Sequence, residues 1–222
     1  MTAAAPQLVI FDCDGVLVDS EPISNEVLAG ELTAAGLPTT PAEAIATYKG
    51  RLLSDVVELA ESRLGSPLPE GFVAEYERKR TLEFDRRLRA IDGAADTVER
   101  VRAAGIEVCV ASQGKLEKTE LTLSLTGLRP LFGTDALFSA YSVARGKPHP
   151  DLFLFAARTM GASPARCTVV EDTELGVRAA VAAGISVFAY VADGDEAALR
   201  AAGATGVLQR LSELPAALGI GV

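Results

Sequence analysis

Residues 9–21 read "VIFDCDGVLVDSE". An apolar run, Leu8 to Phe11, delivers Asp12, Cys13, Asp14 and Gly15, then resumes as Val16-Leu17-Val18 and meets a third acid, Asp19. A short run that is apolar throughout and bounded by a turn reads as a strand buried on both faces. Two carboxylates, one residue apart, at the end of such a strand are costly unless something cationic sits between them.

Working outward, similar short apolar runs recur at 106–111, 136–138, 167–170 and 185–191. Between them lie helical patterns. "GAADTVERVRAAG" closes on Gly105, "KLEKTELTLSLTG" on Gly127 and "TELGVRAAVAAG" on Gly184, each glycine suited to a helix stop. Strand alternating with helix predicts an α/β fold, a Rossmann-like parallel sheet with helices on both faces. The stretch from about Glu21 to Arg89 breaks the alternation, with helical signals and no convincing strand. It predicts an inserted all-α subdomain of four helices. Ser24 or Asn25 is expected to cap the first, Pro41 to open the second, and Ser54 or Asp55 to cap the third. The charged tract from Glu75 to Arg89 reads as the solvated face of the fourth. The expected division is a core of residues 1–19 and 90–222 and a helical insert of 20–89.

The totals narrow the function. The chain has 222 residues, 49% of them apolar, and a formal net charge of −9. That charge, with no basic run, argues against a sequence-independent grip on nucleic acid. The start, "MTAAAPQ", has no charged segment followed by an apolar one, and no apolar run is long enough to span a bilayer. Cys13, Cys109 and Cys167 lie far apart, in or beside strand-like runs. They are expected reduced and buried, in a cytoplasm. The single histidine, His149, is remote from all three, which disfavours a catalytic thiol.

In an open parallel sheet, ligands bind beyond the carboxyl ends of the strands. The residues there are Asp12 and Asp14, then Ser112, Gln113 and Gly114, then Lys147 in "RGKPHPD", then Glu171 and Asp172. Strand alternation puts Asp12 and Asp14 on one side and Cys13 on the other. Repulsion among Asp12, Asp14 and Asp172 would be relieved by a divalent cation, and all-oxygen ligands suit Mg²⁺ with a substrate phosphate. Lys147 and Ser112 fit as a charge and a donor for that phosphate, assisted by amides of the helix after Ser112. Each element has a plain reading too: D-x-D-G as a strand-ending turn, G-K as a surface turn, Asp172 as a helix cap. Four in order, each at a predicted strand end, carry the site.

These motifs resemble those of the haloacid dehalogenase superfamily of phosphohydrolases, in the subgroup of β-phosphoglucomutase and small sugar-phosphate phosphatases. "FDCDGVLVDSE", "VCVASQG", "RGKPHPDLF" and "VVEDTELGVRAAVAAG" resemble its four motifs in order, over nearly the whole chain. The resemblance implies that Asp12 attacks phosphorus to form an aspartyl-phosphate and that Asp14 is general acid and base. It implies Mg²⁺ held by Asp12, the Asp14 carbonyl, Asp172 and Glu171, with Ser112 and Lys147 on the phosphoryl group. It also makes 20–89 a mobile cap whose loop "YKGR", with Lys49, Gly50 and Arg51, contacts substrate alongside Gln113. The implied protein is a monomeric cytoplasmic phosphatase of a small phosphorylated sugar, sugar acid or polyol, binding neither nucleic acid nor membrane. Gln113-Gly114 departs from the usual Asn after the motif-two Ser. Ser24 stands where the mutase has a His near the start of its cap, which disfavours a mutase; Asp14 disfavours a dehalogenase. A mutase, or a non-catalytic binding protein on the same scaffold, stays open at this point.

Overall fold

The computed structural model describes residues 5–191 and 195–221. The first four residues of "MTAAAPQ", residues 192–194 and Val222, all within the expected core segments, lie outside the described residues. Six strands, β1 (Leu8–Phe11), β2 (Glu107–Ser112), β3 (Leu137–Ser139), β4 (Cys167–Glu171), β5 (Ser186–Tyr190) and β6 (Gly206–Leu208), form one sheet in the order β3-β2-β1-β4-β5-β6. Every pairing is parallel. β1 is wholly buried, as its unbroken apolar sequence requires. Chain order reverses about it, with β2 and β3 on one side and β4 to β6 on the other, so the crevice for a ligand opens above the carboxyl ends of β1 and β4.

The helices between Glu21 and Arg87 are α1 (Glu21–Ala34), α2 (Pro41–Tyr48), α3 (Leu53–Leu64) and α4 (Phe72–Arg87). They bury an apolar cluster of their own, including Leu28, Leu32, Ala60 and Tyr76, separate from the cluster around the sheet. The remainder are α5 (Ala94–Ala103), α6 (Leu116–Leu125), α7 (Asp151–Thr159), α8 (Glu174–Ala182), α9 (Glu196–Ala201) and α10 (Leu214–Ala217). No helix among the described residues is long and apolar enough to cross a membrane. All three cysteines are free and buried, and His149 is exposed.

The structure corrects several local expectations. α1 starts before Ser24 and Asn25, at Glu21, with Ser20 in the cap position making no side-chain cap bond. The Ser20 hydroxyl donates to Asp14 instead, and Asn25 donates to the Glu21 carboxylate at 2.7 Å. α3 starts at Leu53, so neither Ser54 nor Asp55 caps it; the Ser54 hydroxyl donates to Asp55 at 3.2 Å. Pro41 opens α2 as expected, behind a Thr40–Glu43 capping box. The tract 75–89 is only partly solvated. Arg78–Glu75 and Arg86–Glu83 pair on the outer face, but Lys79 and Arg87 cross to Glu31 and Glu26 of α1. Tyr76 and Phe84 are buried, and Arg80 turns inward. β6, α7 and α9 go beyond what the sequence pattern predicts.

Candidate active site

Asp12 follows β1 directly, and its amide donates to Val170 of β4 at 2.9 Å, which fixes it at the crevice. Its carboxylate accepts from Lys147, which also donates to Glu171 at 2.5 Å and to the Ala111 carbonyl at 3.1 Å. All three side chains are buried. Burial pushes the Asp12 carboxyl well up; Lys147 opposes this, while Glu171, Asp172 and Asp14 add to it. Burial alone would lower Lys147, but Asp12 and Glu171 outweigh it and keep the ammonium charged. Gln113, the expected substrate contact, is engaged with the Lys147 backbone: its carbonyl accepts from Lys147 N–H at 3.0 Å, and its amide donates to Lys147 C=O at 3.2 Å. Its amide therefore positions Lys147.

Asp14 accepts from Ser20, from Lys118 and, at 3.4 Å, from Ser112. Burial would raise its carboxyl, but Lys118, Ser20 and Arg80 together bring it below its ordinary value. The Gly114 amide donates to the Ser112 hydroxyl at 3.0 Å, so the start of the β2–α6 turn is held against the motif. Cys13 points away, into the core beside Thr122, 3.7 Å distant.

Asp172 lies opposite. Lys49 from the helical insert pairs with its Oδ2 at 2.6 Å, while Oδ1 is buried with no hydrogen-bond partner among the described residues. Burial, together with Glu171, pushes Asp172 up to about 6 against the pull of Lys49. Asp172 does not cap α8; Thr173 does, through the Gly176 amide at 3.1 Å. Gly50 has φ +76°, and a Cβ there would lie 3.1 Å from Thr173, so the loop "YKGR" approaches the core closely. Lys49 and Gly50 thus face the acids. Arg51 turns back, its Nε donating to the Thr47 carbonyl at the end of α2 at 3.0 Å, and its side chain is exposed.

Gly176, in the first turn of α8, leaves room for Glu171: a Cβ at 176 would collide with that carboxyl group. Gly176→Ala is therefore expected to destabilise the protein by about 1–3 kcal/mol, as overpacking does. It should also displace the Glu171 contact to Lys147. Thermal unfolding checks this; an unchanged melting temperature would mean that Glu171 relaxes without cost.

Asp12, Asp14, Lys49, Gly50, Gln113, Lys147 and Glu171 line a cavity of about 120 Å³ between the sheet and α1–α4, and Ser112 and Asp172 bond to Asp14 and Lys49 of that lining. Sequence reading missed several of its walls. Lys118 sits on Asp14, Arg80 lies over Tyr76, and Glu21 is pushed up to about 7, by burial first and then by Asp14 and Asp172. Among the described residues, no three acid, histidine or cysteine side chains form a ready-made metal cage.

A family model described as haloacid dehalogenase-like hydrolase matches residues 6–184. The 6-phosphogluconate phosphatase of Escherichia coli K12 is 31% identical over 188 residues, 84% of this chain and 83% of that protein. Hexitol phosphatase A of the same organism is 30% identical over 84% of this chain and 83% of that one. A hydrolase of the same family from Deinococcus radiodurans R1, solved with bound phosphate and sodium, is 35% identical, with a TM-score of 0.78 over 97% of this chain and 96% of that one. The four motifs, the sheet order that gathers them and the span of these matches together place the chain in the haloacid dehalogenase-like hydrolase family.

Proposed function

We propose that this hydrolase is a Mg²⁺-dependent phosphomonoesterase of a small phosphorylated sugar, sugar acid or polyol, working through an aspartyl-phosphate on Asp12. The observation that carries the reading is the gathering of Asp12, Asp14, Ser112, Lys147, Glu171 and Asp172 beyond the carboxyl ends of adjacent strands, four of them lining one cavity and Ser112 and Asp172 bonded to Asp14 and Lys49 of its lining.

The donor set fits Mg²⁺. Asp12 and Asp172 are carboxylates raised by burial first and then by neighbouring carboxylates, and Asp172 keeps a buried oxygen with no hydrogen-bond partner among the described residues. A small hard cation suits such oxygens, and Mg²⁺ takes few carboxylates because it retains waters. Asp12, the Asp14 backbone carbonyl, Asp172 and Glu171 would hold it. When bound, it neutralises charge on the phosphoryl oxygens and orients them.

The chain's own residues divide the remaining work. Lys147, held by Glu171, Ala111 and Gln113, presents a fixed ammonium to the phosphoryl group, and Ser112 presents a hydroxyl. Such preset charges favour the transferring group without reorganising during reaction. Asp12 supplies the nucleophilic carboxylate oxygen. Asp14, one residue beyond Cys13 on the same side, is ionised beside Lys118; it takes up the proton of the phosphate monoester monoanion, passes it to the leaving alkoxide, and later takes one from the attacking water.

The segment 20–89 acts as a cap on a core of 1–19 and 90–222. The Asp19 amide donates to the Arg89 carbonyl at 2.9 Å, and the Ile91 amide to the Leu17 carbonyl at 2.9 Å, so the cap leaves and rejoins the core at one place. Lys49 and Gly50 shape the entrance with Arg51 at its rim, and Gln113 serves through Lys147. The protein works in the cytoplasm as a monomer, without nucleic acid or membrane. A mutase is disfavoured, because Ser24 stands where a steering histidine would and His149 is exposed.

A screen of inorganic phosphate release across phosphorylated sugars, sugar acids and polyols tests the reading. Activity is expected to vanish in excess chelator and to return with Mg²⁺ but poorly with Ca²⁺, whose coordination is larger and looser. Full activity in chelator would overturn the metal assignment, and no release from any member of the panel would overturn the phosphomonoesterase.

A further inference from the structure

Of the six cations lining the cavity, four are paired with acids, and Arg51, whose side chain is exposed, donates to the Thr47 carbonyl at 3.0 Å. Lys49 is paired with Asp172 at 2.6 Å, Lys115 with Glu77 at 2.7 Å, Lys118 with Asp14, and Lys147 with Asp12 and Glu171. Arg80, on α4, lines the same cavity, yet its Nε is buried without a hydrogen-bond partner among the described residues. Its remaining polar contact is a long one, 3.5 Å from an Nη to the Tyr76 hydroxyl. The guanidinium is nonetheless fixed in place, 4.9 Å from the centre of the Tyr76 ring and 5.8 Å from that of Phe84. A buried donor left unpaired in this way is costly, and a stacked planar fork is preset for a bidentate acceptor.

Its position says which part of a substrate would meet it. The Phe84 ring that carries Arg80 also carries the Lys118 ammonium at 5.8 Å, and Lys118 bonds Asp14. Arg80 thus lies on the Asp14 side of the cavity, where its charge also pulls the Asp14 carboxyl down. With phosphorus at Asp12 and the leaving oxygen at Asp14, the body of the leaving group extends toward Arg80.

We propose that Arg80 recognises a carboxylate on the leaving group, which assigns the substrate class to phosphorylated sugar acids over neutral sugar or polyol phosphates. The assignment rests on the phosphomonoesterase reading above and narrows it. A guanidinium with no ion pair of its own among the described residues discriminates by charge, and a planar fork matches the two oxygens of a carboxylate. A hydroxymethyl group in the same place satisfies neither property.

The test pairs a hexonic acid 6-phosphate with the hexitol 6-phosphate of the same stereochemistry, which differ only in that terminal group. The wild-type kcat/KM is expected to favour the acid by about 10²-fold, the scale of a charge-assisted pair. Arg80→Ala should bring the ratio near one, with most of the loss in KM, and added guanidinium should restore part of it. Arg80→Lys, which keeps the charge and stem but not the fork, should fall between. Parallel loss on both substrates, or a wild-type preference for the hexitol phosphate, overturns the assignment. An aryl phosphate separates the two levels: if wild type with Mg²⁺ releases no phosphate from it or from either hexose derivative, the phosphomonoesterase reading has failed. Calorimetric binding of both compounds to Asp12→Asn, with and without Arg80→Ala, then decides Arg80 by itself. A preference for the acid that R80A removes retains the assignment, and equal affinities overturn it.

Discussion

Asp12→Asn is expected to lower kcat by about 10⁴–10⁶-fold, the scale seen when a covalent nucleophile is removed. The substitution keeps the volume and one oxygen for Lys147, but an amide oxygen is a poor nucleophile and carries no charge toward a metal. Lys147 keeps its bond to Glu171 at 2.5 Å, so the phosphate-facing ammonium stays in place. The fold should tolerate the change. Burial and neighbouring carboxylates push the Asp12 carboxyl well up, and a neutral side chain relieves that cost, which offsets the loss of the attraction between Asp12 and Lys147. The melting temperature of the variant should therefore be close to the parent's, while acid-quenched mass spectrometry finds no phosphorylated protein. Parental samples quenched during turnover should carry one added phosphoryl group on the peptide containing Asp12. Activity within about tenfold of the parent, or a phosphoryl group on another residue, would move the nucleophile elsewhere.

What could be read from the sequence divides along a physical line. The central strands were legible because β1, β4 and most of β2 are buried on both faces and so carry short runs that are mainly apolar. The phosphate and acid residues were legible because a parallel sheet puts its strand ends in one place, so Asp12, Ser112 and Asp172 needed no distance information. β6 was not, because an edge strand of three residues containing a glycine and a half-buried valine has no apolar run to show. Lys118 and Arg80 were hidden for a different reason. Each sits in a charged helical stretch whose composition alone says solvent, and only the packing of α6 against α4, with Lys118 and Arg80 both over Phe84, brings them to the Asp14 side of the cavity. The missed cap of α1 belongs with them. Ser20 stands at the helix start, but its hydroxyl serves Asp14, so the local rule fails where the site claims the residue. Gln113 reads as a substrate contact from its place after Ser112, whereas its amide has both its polar ends on the Lys147 backbone, a contact spanning 34 residues that no local pattern encodes.

Asp14→Asn separates the two halves of the reaction, and its effect depends on the leaving group. On a sugar phosphate, whose alkoxide must be protonated as it departs, the loss should be about 10²–10⁴-fold. An aryl phosphate with an acidic phenol leaves without that proton, so Asp12 can still be phosphorylated. Hydrolysis of the aspartyl-phosphate then lacks its general base. The expected record is a burst of about one equivalent of phenol per enzyme followed by a slow steady rate, with phosphorylated protein accumulating in acid-quenched samples. The side-chain amide of this variant would still accept from Ser20, but the ion pair with Lys118 would be gone, leaving a part-buried ammonium beside Phe84 with less compensation. Some loss of stability is therefore expected from this variant and not from Asp12→Asn, which makes the burst the deciding observation: a merely misfolded or metal-depleted enzyme loses the burst and the steady rate together. Near-parental rates on the sugar phosphate would remove Asp14 from proton transfer. A loss equal on both substrates, with no phosphorylated protein, would reduce it to a structural partner of Lys118.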